Sequence, residues 1–286
     1  MADGWSQWPA PAKLNLFLHV VGRRADGYHL LQTVFQLLDW GDTVHLRVRA
    51  DGVIARVGDV DGVPAEADIA VRAAAALREQ TGCRLGADIR IEKRIPLCGG
   101  LGGGSSDAAT VLVALDALWQ TGLGADVLAD IGLRLGADVP VFVRRTSAWA
   151  EGVGERLIRV DLPARHFVII DPRVSVATGE LFQAAELTRN SAPTTINDFL
   201  AGIKTSNAFA PLVRARHPRI GDALDWLAQF GDARLTGSGG CVFVAVDSAV
   251  QAQKIADACP TGFIAHVAAA VNESPLNAAL IRYRGG

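Results

Sequence analysis

A glycine-rich segment constrains this chain more than any other feature. Residues 96–109 read Pro-Leu-Cys-Gly-Gly-Leu-Gly-Gly-Gly-Ser-Ser-Asp-Ala-Ala, with five glycines within six positions. The segment lies between a predicted strand and a predicted amphipathic helix, and Ser105 and Ser106 are predicted to cap that helix. Glycine lets the backbone approach a ligand closely, and a helix N-terminus offers unpaired N–H groups to an anion. We therefore predict a phosphate-binding loop rather than a flexible linker.

This loop matches neither of two common nucleotide-binding fingerprints. No Gly-Lys-Ser/Thr ends it, so it is not a Walker A loop. A dinucleotide fingerprint that begins at Gly100 and Gly102 would need glycine at position 105, where serine stands. The serine hydroxyls could donate to a phosphate, or bind a phosphate-bound Mg²⁺. The loop alone predicts a bound phosphate without defining a reaction.

Composition excludes several other classes of protein. The 286 residues carry a formal net charge of −2, without the strongly basic footprint of a nucleic-acid binder. The four cysteines form no CxxC pair, which argues against a zinc or thioredoxin-type site and favours reduced thiols. The N-terminus lacks a signal-peptide pattern, and no apolar run is long enough to span a membrane. We predict a cytoplasmic protein that binds neither nucleic acid nor membrane.

Hydrophobic periodicity predicts alternating strands and helices in the first half of the chain. The predicted strands are 12–21, 43–49, 87–93, 139–143 and 147–150, with a further apolar run at 30–40 and a loop at 22–28. The predicted helices are 68–80, a helix that follows the glycine-rich loop, and 126–135.

The second half begins a new unit at the apolar strand 167–171. Its predicted helices are 178–185, 195–201, 206–215, 219–230 and 249–258, and its other predicted strands are 241–246 and 263–269. A second glycine-rich turn, Leu-Thr-Gly-Ser-Gly-Gly, occupies residues 235–240. These patterns predict an α+β protein with two domains, 1–162 and 163–286.

The glycine-rich loop and four other motifs together resemble the GHMP kinases. The motifs are Pro-Ala-Lys-Leu-Asn-Leu at 11–16, Arg-Ala-Asp-Gly-Tyr-His at 24–29, Gly-Ala-Asp-Val-Pro-Val-Phe at 136–142 and Leu-Thr-Gly-Ser-Gly-Gly-Cys-Val-Phe at 235–243. They occur in the order of that family, and the resemblance extends from about residue 8 to about residue 280. The motifs at 11–16 and 24–29 are similar to the branch that phosphorylates a cytidine-diphosphate-linked polyol.

The resemblance implies an N-terminal ATP-binding domain, a C-terminal ferredoxin-like domain and an active site in the cleft between them. It implies ATP and Mg²⁺ as cofactors and transfer of the γ-phosphoryl group to the 2-hydroxyl of the polyol. The residues that it assigns to the nucleotide are Pro96, Leu97, Cys98, Gly99, Gly100, Leu101, Gly102, Gly103, Gly104, Ser105 and Ser106. No protein residue is assigned as a metal ligand.

The same resemblance implies two catalytic residues. Asp138 would accept the proton of the attacking hydroxyl, because phosphoryl transfer needs an oriented nucleophile more than a strong base. Its spacing alone would favour a structural aspartate at the end of a helix. Lys13 would place its ammonium beside Asp138 and stabilise charge on the reacting oxygen. Without the resemblance, Lys13 would be interpreted as a solvent-facing lysine on a strand.

Five residues are implied to bind the small-molecule substrate: Asn15, Tyr28, His29, Thr178 and Phe182. The rings of Tyr28 and Phe182 could sandwich a flat pyrimidine, and His29 could hydrogen-bond its edge. Taken without the resemblance, Phe182 would be a core aromatic and Tyr28-His29 a surface pair in a loop.

Two alternatives remain open from the sequence. Another GHMP kinase of the homoserine or mevalonate type would share the fold, although an aromatic residue beside a histidine suits a base better than a small acid. A non-catalytic member of the fold would bind nucleotide without turning it over. Either a monomer or a homodimer is compatible with the sequence.

Overall fold

Two long antiparallel strands form the spine of the molecule. The computed structural model describes residues 4–59 and 63–285. Strand β1 (Trp5–Arg23) pairs with β2 (His29–Arg49) over almost its whole length, around a short loop at 24–28. The apolar runs predicted separately at 30–40 and 43–49 are therefore one strand. Gly41 lies within this strand without interrupting it. The two strands pack so closely there that a side chain at position 41 would overlap the backbone of Ala10.

Within the described residues, eight further strands complete a ten-stranded sheet. They are β3 (Ile54–Arg56), β4 (Gly86–Glu92), β5 (Ala148–Gly152), β6 (Arg156–Arg159), β7 (His166–Asp171), β8 (Arg234–Leu235), β9 (Val242–Val246) and β10 (Ile264–Val271). Strand β10 pairs antiparallel with β7 over its length and with β2 at Ala270 and Val271. One strand thus joins the pairing of the first half of the chain to that of the second.

The described residues form ten α-helices. They are α1 (Ile69–Thr81), α2 (Gly103–Leu118), α3 (Ala125–Leu135), α4 (Val139–Arg144), α5 (Thr178–Gln183), α6 (Ile196–Leu200), α7 (Ala210–Arg216), α8 (Pro218–Leu227), α9 (Ala249–Asp257) and α10 (Pro275–Gly285), with a 3₁₀ turn at Ala65–Ala67. Most lie within a few residues of the predicted helices. No helix in the described ranges is long and apolar enough to cross a bilayer.

Helix α4 corrects the prediction of a strand at 139–143. The run Val-Pro-Val-Phe-Val is rich in β-branched residues, which favours a strand locally. Pro140 instead occupies the first turn of a short helix, where its missing N–H costs nothing. The five residues are fully packed against α2 and α3 in the first core, so tertiary burial outweighs local propensity.

The N-terminus of α2 corrects a second prediction. Ser105 and Ser106 lie in the first turn of the helix, and Gly102, in a left-handed conformation, occupies the cap position without a side-chain hydrogen bond. Gly103 and Gly104 are already helical. The helix therefore begins inside the glycine-rich segment, and its free N–H groups point out of the loop.

Two main hydrophobic cores lie on either side of the pairing between β10 and β2. One is formed by α1, α2, α3 and α4 against β2 and β4, and the other by α5, α7, α8 and α9 against β7 and β9. The C-terminal helix α10, which the sequence did not predict, packs Leu276, Ala279 and Leu280 into the first core. The division at 162/163 stays a prediction, and the chain returns to its first half after that point.

Candidate functional site

The largest part of the site is a cavity of about 870 Å³ between the two cores. Residues from β1, β2, the turn before α4, α5 and the second glycine-rich turn line it. Six of the seven catalytic and substrate residues predicted from the sequence are confined to two ends of this cavity. Lys13, Asn15 and Asp138 lie at one end, which we call the reaction end, and Tyr28, His29 and Phe182 lie at the other, which we call the base end.

The reaction end is organised by the buried ammonium of Lys13. Its Nζ lies 3.2 Å from Oδ2 of Asp138 and donates to Oδ1 of Asn15 at 2.5 Å and to the carbonyl of Gly100 at 3.0 Å. Three donors thus have three acceptors, which is what a buried ammonium requires. Lys13 is 2% exposed, so it is not a solvent-facing strand lysine. The carboxylate of Asp138 is the more exposed partner and faces the cavity.

Asn15 supports the ammonium of Lys13 where β1 pairs with β2. Its side-chain oxygen accepts from Lys13, and its Nδ2 donates to Oγ1 of Thr33 at 2.9 Å. Thr33 in turn donates to the carbonyl of Phe17. Asn15 also lines the cavity, and each end of its amide makes one of the two hydrogen bonds that it can form. Asn15 thus supports Lys13, and its contact with substrate stays a prediction.

The glycine-rich loop lies directly behind the reaction end. Its residues line a groove of about 270 Å³, together with Ile69 and Lys93, which the sequence did not single out. Among the eleven residues predicted to bind nucleotide, Leu101 and Ser106 do not line it. Leu101 is packed in a small core, and Ser106 is buried with no hydrogen-bond partner for Oγ among the described residues. Ser105 lines both the groove and the large cavity and so connects them.

Gly100 and Gly102 are glycine for steric as well as conformational reasons. Both have φ of +74°, a region that other residues rarely adopt. A Cβ on Gly100 would overlap the carbonyl of Thr236, and one on Gly102 would lie 2.9 Å from the Phe142 ring and 3.1 Å from Cε of Lys13. The absence of side chains therefore lets the loop, Lys13 and the second glycine-rich turn share one small volume.

The second glycine-rich turn supports the loop from the other half of the chain. The backbone N–H of Cys241 donates to the carbonyl of Gly99 at 3.0 Å, and Oγ1 of Thr236 donates to the carbonyl of Gly100 at 3.2 Å. Thr178, the remaining predicted substrate residue, lines the cavity beside this turn, with Oγ1 2.6 Å from Oγ of Ser238. The turn thus has a structural role in shaping the loop.

A buried charge cluster flanks the groove. Lys93 donates to Oδ2 of Asp42 and, at 2.8 Å, to Oδ2 of Asp107, which follows the first turn of α2. Burial disfavours the charge on Lys93, but the two carboxylates outweigh it and raise its pKa. Burial, reinforced by Asp42, raises the pKa of Asp107 to about 8 in spite of Lys93. Its Oδ1 has no partner among the described residues, so this carboxyl is only partly satisfied by hydrogen bonds.

The oxygen ligands around the loop fit a Mg²⁺ ion that is also held by phosphate. No three His, Cys, Asp or Glu side chains in the described ranges are grouped as a metal site. The Asp138 carboxylate and the Ser105 hydroxyl do line one cavity at the point where it meets the groove. Mg²⁺ commonly binds one or two protein oxygens together with substrate phosphates, and hard oxygen donors of this kind suit it.

The base end is more exposed and aromatic. The His29 ring stacks on Phe182 with centroids 4.9 Å apart, and Phe182 meets Phe209 edge to face at 4.9 Å. The ring of Tyr28 is 64% exposed and lines the same cavity. Burial lowers the pKa of His29, and the nearby charges of Arg189 and Arg23 lower it further. His29 is therefore neutral near pH 7. Arg189 was not predicted, because nothing in its local sequence distinguishes it from a surface arginine.

Comparison with known proteins agrees with this geometry. Residues 68–145 match the family model of the GHMP kinases N terminal domain, and residues 184–265 match that of the GHMP kinases C terminal. Proteins named 4-diphosphocytidyl-2-C-methyl-D-erythritol kinase from Aromatoleum aromaticum and Xanthomonas axonopodis are each 56% identical. The first match covers 94% of both chains, and the second covers 95% of this chain and 92% of the relative.

Solved structures give the same result at two levels of similarity. A crystal structure of 4-(cytidine 5'-diphospho)-2C-methyl-D-erythritol kinase is 30% identical, with a TM-score of 0.81 over 93% of this chain and 99% of the other. A mevalonate kinase structure, 16% identical with a TM-score of 0.65 over 94% of this chain and all of the other, shares the fold alone. The chain belongs to the GHMP kinase family, on the branch of the 4-diphosphocytidyl-2-C-methyl-D-erythritol kinases.

Proposed function

We propose that this protein transfers the γ-phosphoryl group of ATP to the 2-hydroxyl of 4-diphosphocytidyl-2-C-methyl-D-erythritol. The oxygen of the hydroxyl forms a bond to the γ-phosphorus, the bond from that phosphorus to the β,γ-bridging oxygen breaks, and ADP leaves. The products are ADP and the 2-phosphate of the substrate. The relatives at 56% identity support the choice of substrate, since they carry the name of this kinase over nearly their whole length.

The observation that carries the proposal is the pair formed by Lys13 and Asp138. The ammonium and the carboxylate are 3.2 Å apart, and the same ammonium donates to the carbonyl of Gly100 in the glycine-rich loop. A phosphate held by that loop would therefore have the carboxylate within reach of its terminal group. An arrangement of this kind supplies position and charge, which are what phosphoryl transfer mainly requires.

Each residue has a defined role in this mechanism. Asp138 accepts the proton of the 2-hydroxyl as the bond to phosphorus forms. Lys13 holds Asp138 in place and lies beside the oxygens on which charge develops. The free N–H groups at the start of α2 bind the phosphates, and Ser105 lies where the groove opens into the cavity. Ser105 would contribute an oxygen ligand to Mg²⁺, which would neutralise phosphate charge when bound.

The shape of the cavity supports a long substrate. The reaction end and the base end belong to one continuous cavity of about 870 Å³. Small hydroxy acids would occupy only the reaction end, whereas a diphosphate linker would let a pyrimidine reach Tyr28, His29 and Phe182. Aromatic faces are well suited to a flat base.

An ADP-release assay with a panel of acceptors tests this proposal. We expect turnover with 4-diphosphocytidyl-2-C-methyl-D-erythritol and at least about a hundredfold lower kcat/KM with mevalonate, homoserine or galactose, which make no contact at the base end. Phosphorus NMR of the product should show one new phosphomonoester. Equal rates with a small alcohol would reject the substrate, and ATP binding without turnover of any acceptor would favour a non-catalytic member of the fold.

A further inference from the structure

Arg189 makes an unusual set of contacts at the base end. Its Nε lies 3.2 Å from Nε2 of His29. Its Nη2 donates to the carbonyls of Phe182 at 2.9 Å and Ala184 at 2.7 Å, and Nη1 donates to the carbonyl of Leu187 at 3.2 Å. The guanidinium thus links the end of α5, in the second half of the chain, to the first residue of β2. It also lines the large cavity.

The contact with Arg189 determines where the hydrogen of His29 resides. An arginine Nε–H can only donate, and the guanidinium does not lose its proton in proteins. Nε2 of His29 must therefore accept, and in a neutral imidazole the other nitrogen then carries the hydrogen. A second proton on Nε2 is disfavoured by the charges of Arg189 and Arg23, which, after burial, lower the pKa of His29. The ring consequently has its N–H at Nδ1.

The donor at Nδ1 is available to a ligand. No group in the described part of the chain is hydrogen-bonded to this nitrogen, and His29 lines the cavity. Because an N–H of an imidazole lies in the plane of the ring, a base that accepts from it would lie roughly coplanar with His29. Such a base would continue the stacked arrangement of His29 and Phe182. The planes of these two rings are 27° apart.

We propose that Arg189 is a positioning residue that keeps His29 as a donor at Nδ1 and thereby makes the site prefer cytosine to uracil. N3 of cytosine is an acceptor, whereas N3 of uracil carries a hydrogen and would oppose the donor. The inference rests on the proposed function, since it requires a pyrimidine at the base end. It adds to that function the residue that sets the identity of the base.

A purely structural role is the competing explanation. Arg189 could serve only to satisfy carbonyls at the end of α5, where basic side chains often hydrogen-bond the last turn. Its loss would then lower stability without changing the tautomer of His29 or the choice of base. The tautomer and the base preference therefore separate the two explanations, whereas stability does not.

Nitrogen NMR of the whole protein labelled with ¹⁵N-histidine tests the tautomer without any substrate. The His29 signals are assigned from the spectrum of His29→Asn. In the parent at pH 7 we expect a protonated, pyrrole-type Nδ1 and an unprotonated Nε2. In Arg189→Met we expect a mixture of tautomers. Arg214→Met, which removes a surface partner of Asp225, is the matched control and should leave the spectrum unchanged. A parent with its hydrogen on Nε2, or on both nitrogens, overturns the proposal.

Kinetics with cytidine-linked and uridine-linked substrates tests the base preference. In Arg189→Met we expect the ratio of kcat/KM values for the two substrates to fall about tenfold, as for one lost base contact. The fall in this ratio should come from a higher KM for the cytidine substrate, while KM for ATP stays unchanged. The tautomer of the parent, read by NMR, keeps the inference testable in the case in which the methionine variant does not fold.

The outcomes distinguish this inference from the proposed function. An unchanged ratio in a less stable Arg189 variant assigns the arginine a structural role and overturns the inference alone. A parent that does not turn over the cytidine-linked substrate overturns the proposed function, and the base preference with it. The tautomer is decided by NMR in either case.

Discussion

The reaction end and the base end of the same cavity are built in opposite ways. At the reaction end, the ammonium of Lys13 is buried. Its three partners lie on strand β1, in the glycine-rich loop and at the start of helix α4. At the base end, Tyr28 is largely exposed, and His29 and Phe182 are half-buried around a single arginine. The proposed catalytic groups are thus tied into the packed fold, whereas Tyr28 at the base end contributes little to it.

This contrast predicts which substitutions affect stability, catalysis or binding alone. The largest expected effect is that of Asp138→Asn, which keeps the shape of the side chain and removes the base. We expect kcat to fall about a thousandfold, within the range for a lost general base. ATP affinity measured by calorimetry should change less than threefold. Asp126→Asn, on the exposed side of α3, is the control and should keep full activity. A kcat within tenfold of the parent would mean that Asp138 is not the base.

Gly100→Ala should damage the reaction end through the fold. The new methyl group would overlap the Thr236 carbonyl, and the alanine backbone would also have to adopt a φ of +74°. We expect a loss of about 3 kcal/mol in the free energy of unfolding, from strain together with overpacking. Gly82→Ala is the matched control: its φ is +67°, but nothing lies within 4 Å of the new methyl group. It should cost about 1 kcal/mol. Equal losses in urea unfolding would show that the loop is not packed as described.

Asp107→Asn should make stability less dependent on pH. The pKa of Asp107 is raised in the folded state to about 8, so the native protein holds a proton that the unfolded chain releases near pH 4. The contribution of this proton to stability is present at low pH and is lost as pH rises toward 8. Between pH 6 and pH 8 the parent should lose about 2 kcal/mol relative to Asp107→Asn, measured by urea unfolding. Asp130→Asn, which is exposed, should follow the parent. Parallel pH curves for Asp107→Asn and the parent would contradict the raised pKa.

Tyr28→Ala should have the smallest effect, and this effect should be confined to substrate binding. With its ring 64% exposed, Tyr28 contributes little to the fold, and the free energy of unfolding should change by less than about 0.5 kcal/mol. KM for the nucleotide-linked substrate should rise about fivefold through lost stacking, while kcat changes little. Tyr28→Phe, which keeps the ring, should match the parent. A large loss of stability in Tyr28→Ala would remove the distinction between the two ends.

The sequence best predicts the elements whose local residue pattern determines their structure. The glycine-rich loop, the strand that bears Lys13 and the helix at Ile69–Thr81 were predicted from local pattern, and the fold class and the family are confirmed by the family models and the solved structure. The roles of the individual site residues stay predictions. Lys13 and Asp138 are separated by more than a hundred residues, so only the resemblance could bring them together before their 3.2 Å contact was seen.

The parts that were missed depend on contacts distant in sequence. Helix α4 looks like a strand until the packing of α2 and α3 around it is known. The terminal helix α10 has no strong amphipathic pattern and is identified by the core that it completes. The support that Asn15 gives to Lys13 and Thr33 was not predicted, because these contacts join positions that only the folded chain brings together. Arg189 and Lys93 gave no local signal, since a lone basic residue is common on any surface.

The hydrogen bond from Cys241 to the Gly99 carbonyl has a consequence for attempts to divide the protein. The glycine-rich groove is contributed by the first half of the chain, but it is supported from behind by a turn about 140 positions later. A fragment ending before that turn would keep every residue of the glycine motif and lose the scaffold behind it. Co-expressed fragments should regain ATP affinity only when they reassociate, which makes nucleotide binding a direct reporter of complementation between the two pieces.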